Sequence, residues 1–190
     1  SRGLGDVYKR QRNVNQVVVK QEKSGYQIVE AYKSLRTNLQ FCGEDKKVIA
    51  VTSCTPNEGK SSVSMQLGIS LAESGKRVIL IDADLRKSVL LGRTKTQKSV
   101  RGLAHFLSGQ ATLEDVICST NVKNFYMIYS GPFPPNPAEL LGGKNFRSLL
   151  NALRKVYDYV IVDTPPLGSV IDSAIVAEIC DGSIMVIESG

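Results

Sequence analysis

The segment Ser53-Cys-Thr-Pro-Asn-Glu-Gly-Lys-Ser-Ser62 holds the residue types needed to grip a phosphate. Gly59 lets the backbone come close to an anion, and free N–H groups at the start of a following helix add positive potential. Lys60 can reach β- and γ-phosphate oxygens, and the hydroxyl of Ser61 can join the shell of a Mg²⁺ ion. Against the pattern G-x-x-x-x-G-K-[ST], Cys54 stands where the first glycine belongs. A helix-entry loop that happens to contain Gly-Lys-Ser is the plain alternative.

Carboxylates supply the second half of the chemistry. Asp82 and Asp84 end the run Val78-Ile-Leu-Ile-Asp-Ala-Asp-Leu-Arg86, and Asp163 ends Tyr159-Val-Ile-Val-Asp163 ahead of Thr164-Pro-Pro166. Acids at the C-terminal ends of parallel strands face the crevice where open α/β sheets bind ligands. Mg²⁺ takes oxygen ligands and keeps several waters, so carboxylates near one hydroxyl suit it. Any one strand-end aspartate could simply cap the next turn; three of them on two strands make that reading poor for the set. Arg86 suits two roles equally, stabilising charge in the site or pairing with a neighbouring carboxylate.

The elements that must position these residues are readable from periodicity. Short β-branched runs at 47–53, 77–82, 125–130, 159–163 and 182–188 read as buried strands, and 26–41, 60–74 and 172–179 read as helices. Residues 101–118 read as two short helices parted by Gly109 with Thr112 as an N-cap. A proline-rich loop at 131–137 leads into a helix running to about Tyr157. Apolar strands alternating with helices give an α/β domain, a mostly parallel β-sheet with helices on both faces.

Composition agrees with a globular domain. The chain has 190 residues, 42% hydrophobic and 22% charged, which excludes disorder and fibrous repeats. No apolar run approaches the roughly 18 residues of a membrane span. Lys and Arg outnumber Asp and Glu by 24 to 18, yet residues 1–23 carry six basic and two acidic side chains. Most of the excess therefore sits on a leader rather than on a folded face, which argues against nucleic acid as a partner. Four separated cysteines and a single histidine, His105, make a zinc site improbable and reduced thiols the default. Residues 1–25 read as leader and linker, of which 1–11 are uninformative or non-native, and the stretch around Val17-Val-Val19 as an extended linker or an edge strand. Residues 26–190 read as the domain, and a chain ending just after a strand reads as truncated at the C-terminus.

Taken together, the sequence resembles the bacterial tyrosine kinases of capsular and exopolysaccharide synthesis, a deviant-Walker branch of the P-loop NTPases related to MinD and ParA. The resemblance covers about residues 26–190 and rests on five segments. They are Thr55-Pro-Asn-Glu-Gly-Lys-Ser-Ser62, Ile79-Leu-Ile-Asp-Ala-Asp-Leu-Arg86, Val160-Ile-Val-Asp-Thr-Pro165, Pro134-Pro-Asn-Pro-Ala-Glu-Leu-Leu141 and Glu30-Ala-Tyr-Lys-Ser-Leu-Arg36. It implies ATP-dependent phosphorylation of protein tyrosines, in trans between copies. Residues Thr55, Pro56, Asn57, Glu58, Gly59, Lys60, Ser61 and Ser62 would bind ATP or ADP. Ser61, Asp82, Asp84 and Asp163 would hold Mg²⁺, Asp82 would orient or deprotonate the tyrosine hydroxyl, and Arg86 would join the catalytic set. It also implies a ring oligomer, an octamer in the best-known members, built on Glu30, Lys33 and Arg36, with lysine where the family pattern has arginine. The implied partner is a transmembrane polysaccharide co-polymerase adaptor that holds a cytoplasmic kinase at the inner face of the cell membrane. The family's C-terminal tyrosine cluster is not found in these 190 residues; Tyr126, Tyr129, Tyr157 and Tyr159 read as core or near-core.

Two other functions fit parts of the pattern. A ParA/MinD-like ATPase switch would carry a lysine five residues before Lys60, where Thr55 stands. A non-catalytic ATP-binding regulator of polymer assembly would tolerate loss of the acids, which are intact. A dinucleotide-binding dehydrogenase is poorly supported, because no G-x-G-x-x-G follows the first strand.

Overall fold

Alternate residues of each central strand face opposite sides of a sheet, and here both sides are apolar. In the computed structural model, which describes residues 15–21, 23–96, 99–168 and 171–189, this produces one sheet covered on two faces. Among the described residues there are eight strands: β1 (Asn15–Val19), β2 (Val48–Ser53), β3 (Val78–Asp82), β4 (Thr94–Thr96), β5 (Cys118–Thr120), β6 (Phe125–Ile128), β7 (Tyr159–Asp163) and β8 (Gly182–Val186). Their order is β4-β1-β5-β6-β3-β7-β2-β8. The block β6-β3-β7-β2-β8 is parallel throughout, while β5 meets β6, and β4 meets β1, antiparallel.

Among the described residues seven helices pack on it: α1 (Tyr26–Phe41), α2 (Lys60–Glu73), α3 (Leu103–Leu107), α4 (Leu113–Val116), α5 (Pro137–Gly142), α6 (Lys144–Arg154) and α7 (Asp172–Glu178). Val78 and Leu80 of β3 join a core with α1 and α2, whereas Ile79 and Ile81 join a second core with α3 to α7. β7 divides the same way, with Tyr159 and Ile161 toward α2 and Val160 and Val162 away from it. Continuing that alternation by one step turns Asp82 and Asp163 toward the face that carries α2. The two aspartates are register partners on adjacent strands.

α2 lies close to the sheet because of Gly68. A Cβ at that position would stand 2.6 Å from Cε2 of Phe125, itself buried. The close approach carries the helix start down to the strand ends.

Three sequence expectations need correction. The stretch around Val17 and Val19 is neither linker nor edge strand: β1 pairs with β5 on one side and β4 on the other, and both valines are buried. β4 is the edge strand beside it. Only residues 1–14 of the expected leader, and Glu22 of the linker, lie outside the described residues. The single helix expected up to Tyr157 is two, because Gly143 adopts an extended conformation (φ −80°, ψ 167°) between α5 and α6. β4 and β5 were not expected; three residues each carry too little pattern to be seen.

Candidate active site

Lys60 is buried, uncommon for lysine without a partner. It has one: its ammonium donates to Asp163 Oδ1 at 2.7 Å. The hydroxyl of Ser61 donates to Asp163 Oδ2 at 2.8 Å, and that of Ser64 to Oδ1 at 3.3 Å. Thus β7 delivers one carboxylate to three side chains from the first two turns of α2. Ser64 was missed, although its place four residues after Lys60 puts it on the same helix face.

The loop between β2 and α2 is shaped by two residues with positive φ, Asn57 (67°) and Gly59 (80°). No atom lies within 4 Å of where a Cβ of Gly59 would stand, so glycine is needed for conformation and the space beside it is open. Glu58 accepts from the Thr55 N–H at 2.8 Å, and this hydrogen bond holds its carboxyl below the usual range. Behind the loop, the Leu167 and Gly168 amides donate to the carbonyls of Ser53 and Cys54 at 2.8 and 3.0 Å. A Cβ on Gly168 would come within 2.6 Å of the Cys54 oxygen. Gly168 is a second residue the sequence reading missed, since only the folded chain brings it there.

A cleft of about 380 Å³ opens over this loop. Pro56, Asn57, Gly59, Lys60 and Ser61 line it, as do Asp84 and Arg86; Thr55, Glu58, Ser62, Asp82 and Asp163 do not. Asp82 lies directly behind, 1% exposed, receiving the Asp84 N–H at 3.2 Å and a hydrogen bond from the Ser88 hydroxyl. Burial pushes its carboxyl up to about 8, with the nearby negative charge of Asp163 adding to the rise. Asp84 is raised too, chiefly by burial and against the hydrogen bond from the Lys87 N–H. Its Oδ1 takes the amides of Arg86 and Lys87 at 3.3 and 2.9 Å, which anchors the chain that leaves β3.

Arg86 takes the second of its two roles. Its Nε and Nη2 donate to the two oxygens of Asp172 at 2.8 and 3.3 Å, a bidentate pair with a fully buried partner at the start of α7. Asp172, 86 positions along the chain, left no local signal in the sequence.

A hydrated magnesium ion fits what is present. The donors are one hydroxyl, Ser61, and carboxylates, all hard oxygens beside open space. Among the described residues no three Asp, Glu, His or Cys side chains converge into a direct metal cage.

Within the chain, the charged residues of α1 engage different partners. Lys33 pairs with Glu30 at 2.8 Å on the surface of α1. Arg36 instead turns onto α2, donating to the Ser70 carbonyl at 2.8 Å and its hydroxyl at 3.3 Å. Tyr129, Tyr157 and Tyr159 are buried and Tyr126 is partly so, as expected.

Comparison with known proteins agrees with this geometry. Residues 46–189 match the family model described as an AAA domain. Tyrosine-protein kinase CpsD of Streptococcus agalactiae is 45% identical over 161 residues, covering 85% of this chain and 69% of that protein. The kinase domain of the Escherichia coli tyrosine kinase ETK superposes with a TM-score of 0.77 at 33% identity, covering 95% of this chain and 72% of that one. The septum site-determining protein MinD of Pyrococcus horikoshii, solved with Mg-ADP, gives 0.62 at 25% identity over 74% of this chain and 57% of that one. The kinase relatives are thus nearer in sequence and fold than the switch ATPase. With a phosphate loop on β2 and strand-end acids on β3 and β7, the chain belongs to the bacterial tyrosine-protein kinases built on the AAA-type P-loop fold.

Proposed function

We propose that this chain transfers the γ-phosphoryl group of ATP to the hydroxyl of a protein tyrosine, in the service of capsular or exopolysaccharide synthesis. The observation that carries the reading is the juxtaposition of Asp82 and Asp163 on adjacent strands behind a cleft lined by Lys60 and Ser61. Lys60 and the backbone N–H groups of residues 57–61 bind the phosphates. Ser61, Asp84 and Asp163, with Asp82 close by, hold Mg²⁺, which when bound supplies charge neutralisation at the phosphate oxygens. Asp82 orients the incoming tyrosine and takes its proton as the new O–P bond forms and the bond to ADP breaks. A carboxyl raised to about 8 is matched to proton transfer near neutral pH. Positioning and charge stabilisation suffice for phosphoryl transfer.

The reading extends to assembly. Self-association through α1, which carries Glu30, Lys33 and Arg36, would bring one copy's tyrosines to another's site. A transmembrane adaptor would hold the kinase at the membrane; among the described residues no helix is long and apolar enough to cross one.

Incubation with Mg²⁺-ATP and a tyrosine peptide, followed by phosphotyrosine mass analysis, tests the reading. Phosphotyrosine is the expected product. Phosphate release with an unmodified peptide would instead identify an ATPase switch.

A further inference from the structure

Four cations line the cleft, and two of them are already engaged. Lys60 pairs with Asp163 and Arg86 with Asp172. Lys87 and Arg93 line the same cleft, and among the described residues neither joins an ion pair. Both are exposed. Between them Val89 presents an apolar surface to the cleft, 47% exposed.

Their position decides what they face. The phosphate loop rises from β2, and the segment holding Lys87, Val89 and Arg93 follows β3, with β7 between the two strands. This segment therefore forms the wall across from the loop, next to Asp82. An in-line transfer requires the acceptor on the side opposite the departing ADP. The wall is held at several points. Asp84 accepts the Lys87 amide, Ser88 is bonded to Asp82, and Leu90 is buried beneath and accepts the Arg93 amide at 3.1 Å. Two unpaired cations flanking an apolar step on a fixed wall match a particular peptide: an aromatic ring with carboxylates beside it.

We propose that Lys87, Val89 and Arg93 form an acceptor subsite that selects tyrosines flanked by acidic residues. The inference rests on the kinase reading above and names the substrate class for it. Lys87 and Arg93 attract the flanking carboxylates, while Val89 backs the tyrosine ring ahead of Asp82.

The test uses matched peptides with one tyrosine between glutamates, glycines or lysines, and fluorescent counterparts with phenylalanine for tyrosine. The expected kcat/KM order is glutamate, then glycine, then lysine, with tighter binding of the acidic phenylalanine peptide in Mg²⁺-ADP. Replacing both cations, Lys87→Ala with Arg93→Ala, should reduce the acidic preference by about two- to fivefold per cation and leave ADP affinity unchanged. Raising the ionic strength should erode the same preference. Equal phosphorylation of all three peptides overturns the subsite while leaving the kinase intact. Loss of ADP affinity in the double variant overturns it too, by assigning the cations to the nucleotide. Absence of phosphotyrosine on every peptide defeats the kinase reading itself, and the subsite with it.

Discussion

At the scale of single residues, the site is a set of charges that depend on one another. Lys60→Met removes the cation that pairs with Asp163 and that the proposed function places on a phosphate. Phosphotyrosine formation should fall by roughly 10²-fold or more, while circular dichroism stays native, because Asp163 keeps its bonds to Ser61 and Ser64. Arg86 and Asp172 form an asymmetric pair, the acid fully buried and the arginine side chain 37% exposed. Arg86→Ala strands a buried carboxylate and should cost about 2–4 kcal/mol in urea unfolding. The double variant Arg86→Ala/Asp172→Ala should recover part of that loss, since the orphaned charge is gone. Additive losses would show that the pair is not the source.

At the scale of elements, close packing of α2 on the sheet sets where the phosphate loop stands. Gly68→Ala improves helix propensity by about 1 kcal/mol. It also drives a methyl to 2.6 Å from the buried ring of Phe125, and overpacking of that kind costs about 1–3 kcal/mol. The clash should win, lowering stability and weakening nucleotide binding together; a stabilised variant would mean that the ring can yield. Arg36 ties α1 to α2 through Ser70. Arg36→Glu should therefore loosen α1 as well as any oligomer, giving a smaller mass by light scattering and faster hydrogen exchange in α1. Loss of mass without a change in α1 exchange would separate the two roles.

At the scale of the whole molecule, Asp82 couples folding to pH. Its carboxyl is raised from 3.8 to about 8, first by burial and then by Asp163. The folded state therefore holds a proton that the unfolded chain has released across that window. Its contribution is fully present at acid pH and is lost as pH rises toward about 8. In metal-free buffer, Asp82→Asn should match the parent Tm only near or below pH 3.8, where both states are protonated, and exceed it by a margin that grows with pH and levels off above about 8. A constant difference would place the carboxylate in a solvated setting.

Much of this was legible in the chain. Apolar runs announced five strands and their parallel sense, because a strand buried on both faces has no polar side to show. Gly59, Lys60 and Ser61 announced the phosphate loop through local requirements of backbone and charge. The positions of Asp82 and Asp163 at strand ends followed from the same runs, and the alternation of side chains gives both the same facing. What folding alone decided are the long-range choices. Arg86 finds Asp172, Gly168 closes on Cys54, β1 enters the sheet between β4 and β5, and Arg36 turns inward to α2. The division has a physical cause: strand and loop signals are written in neighbouring residues, whereas a charge chooses its partner only after the sheet has brought distant segments within a few ångströms.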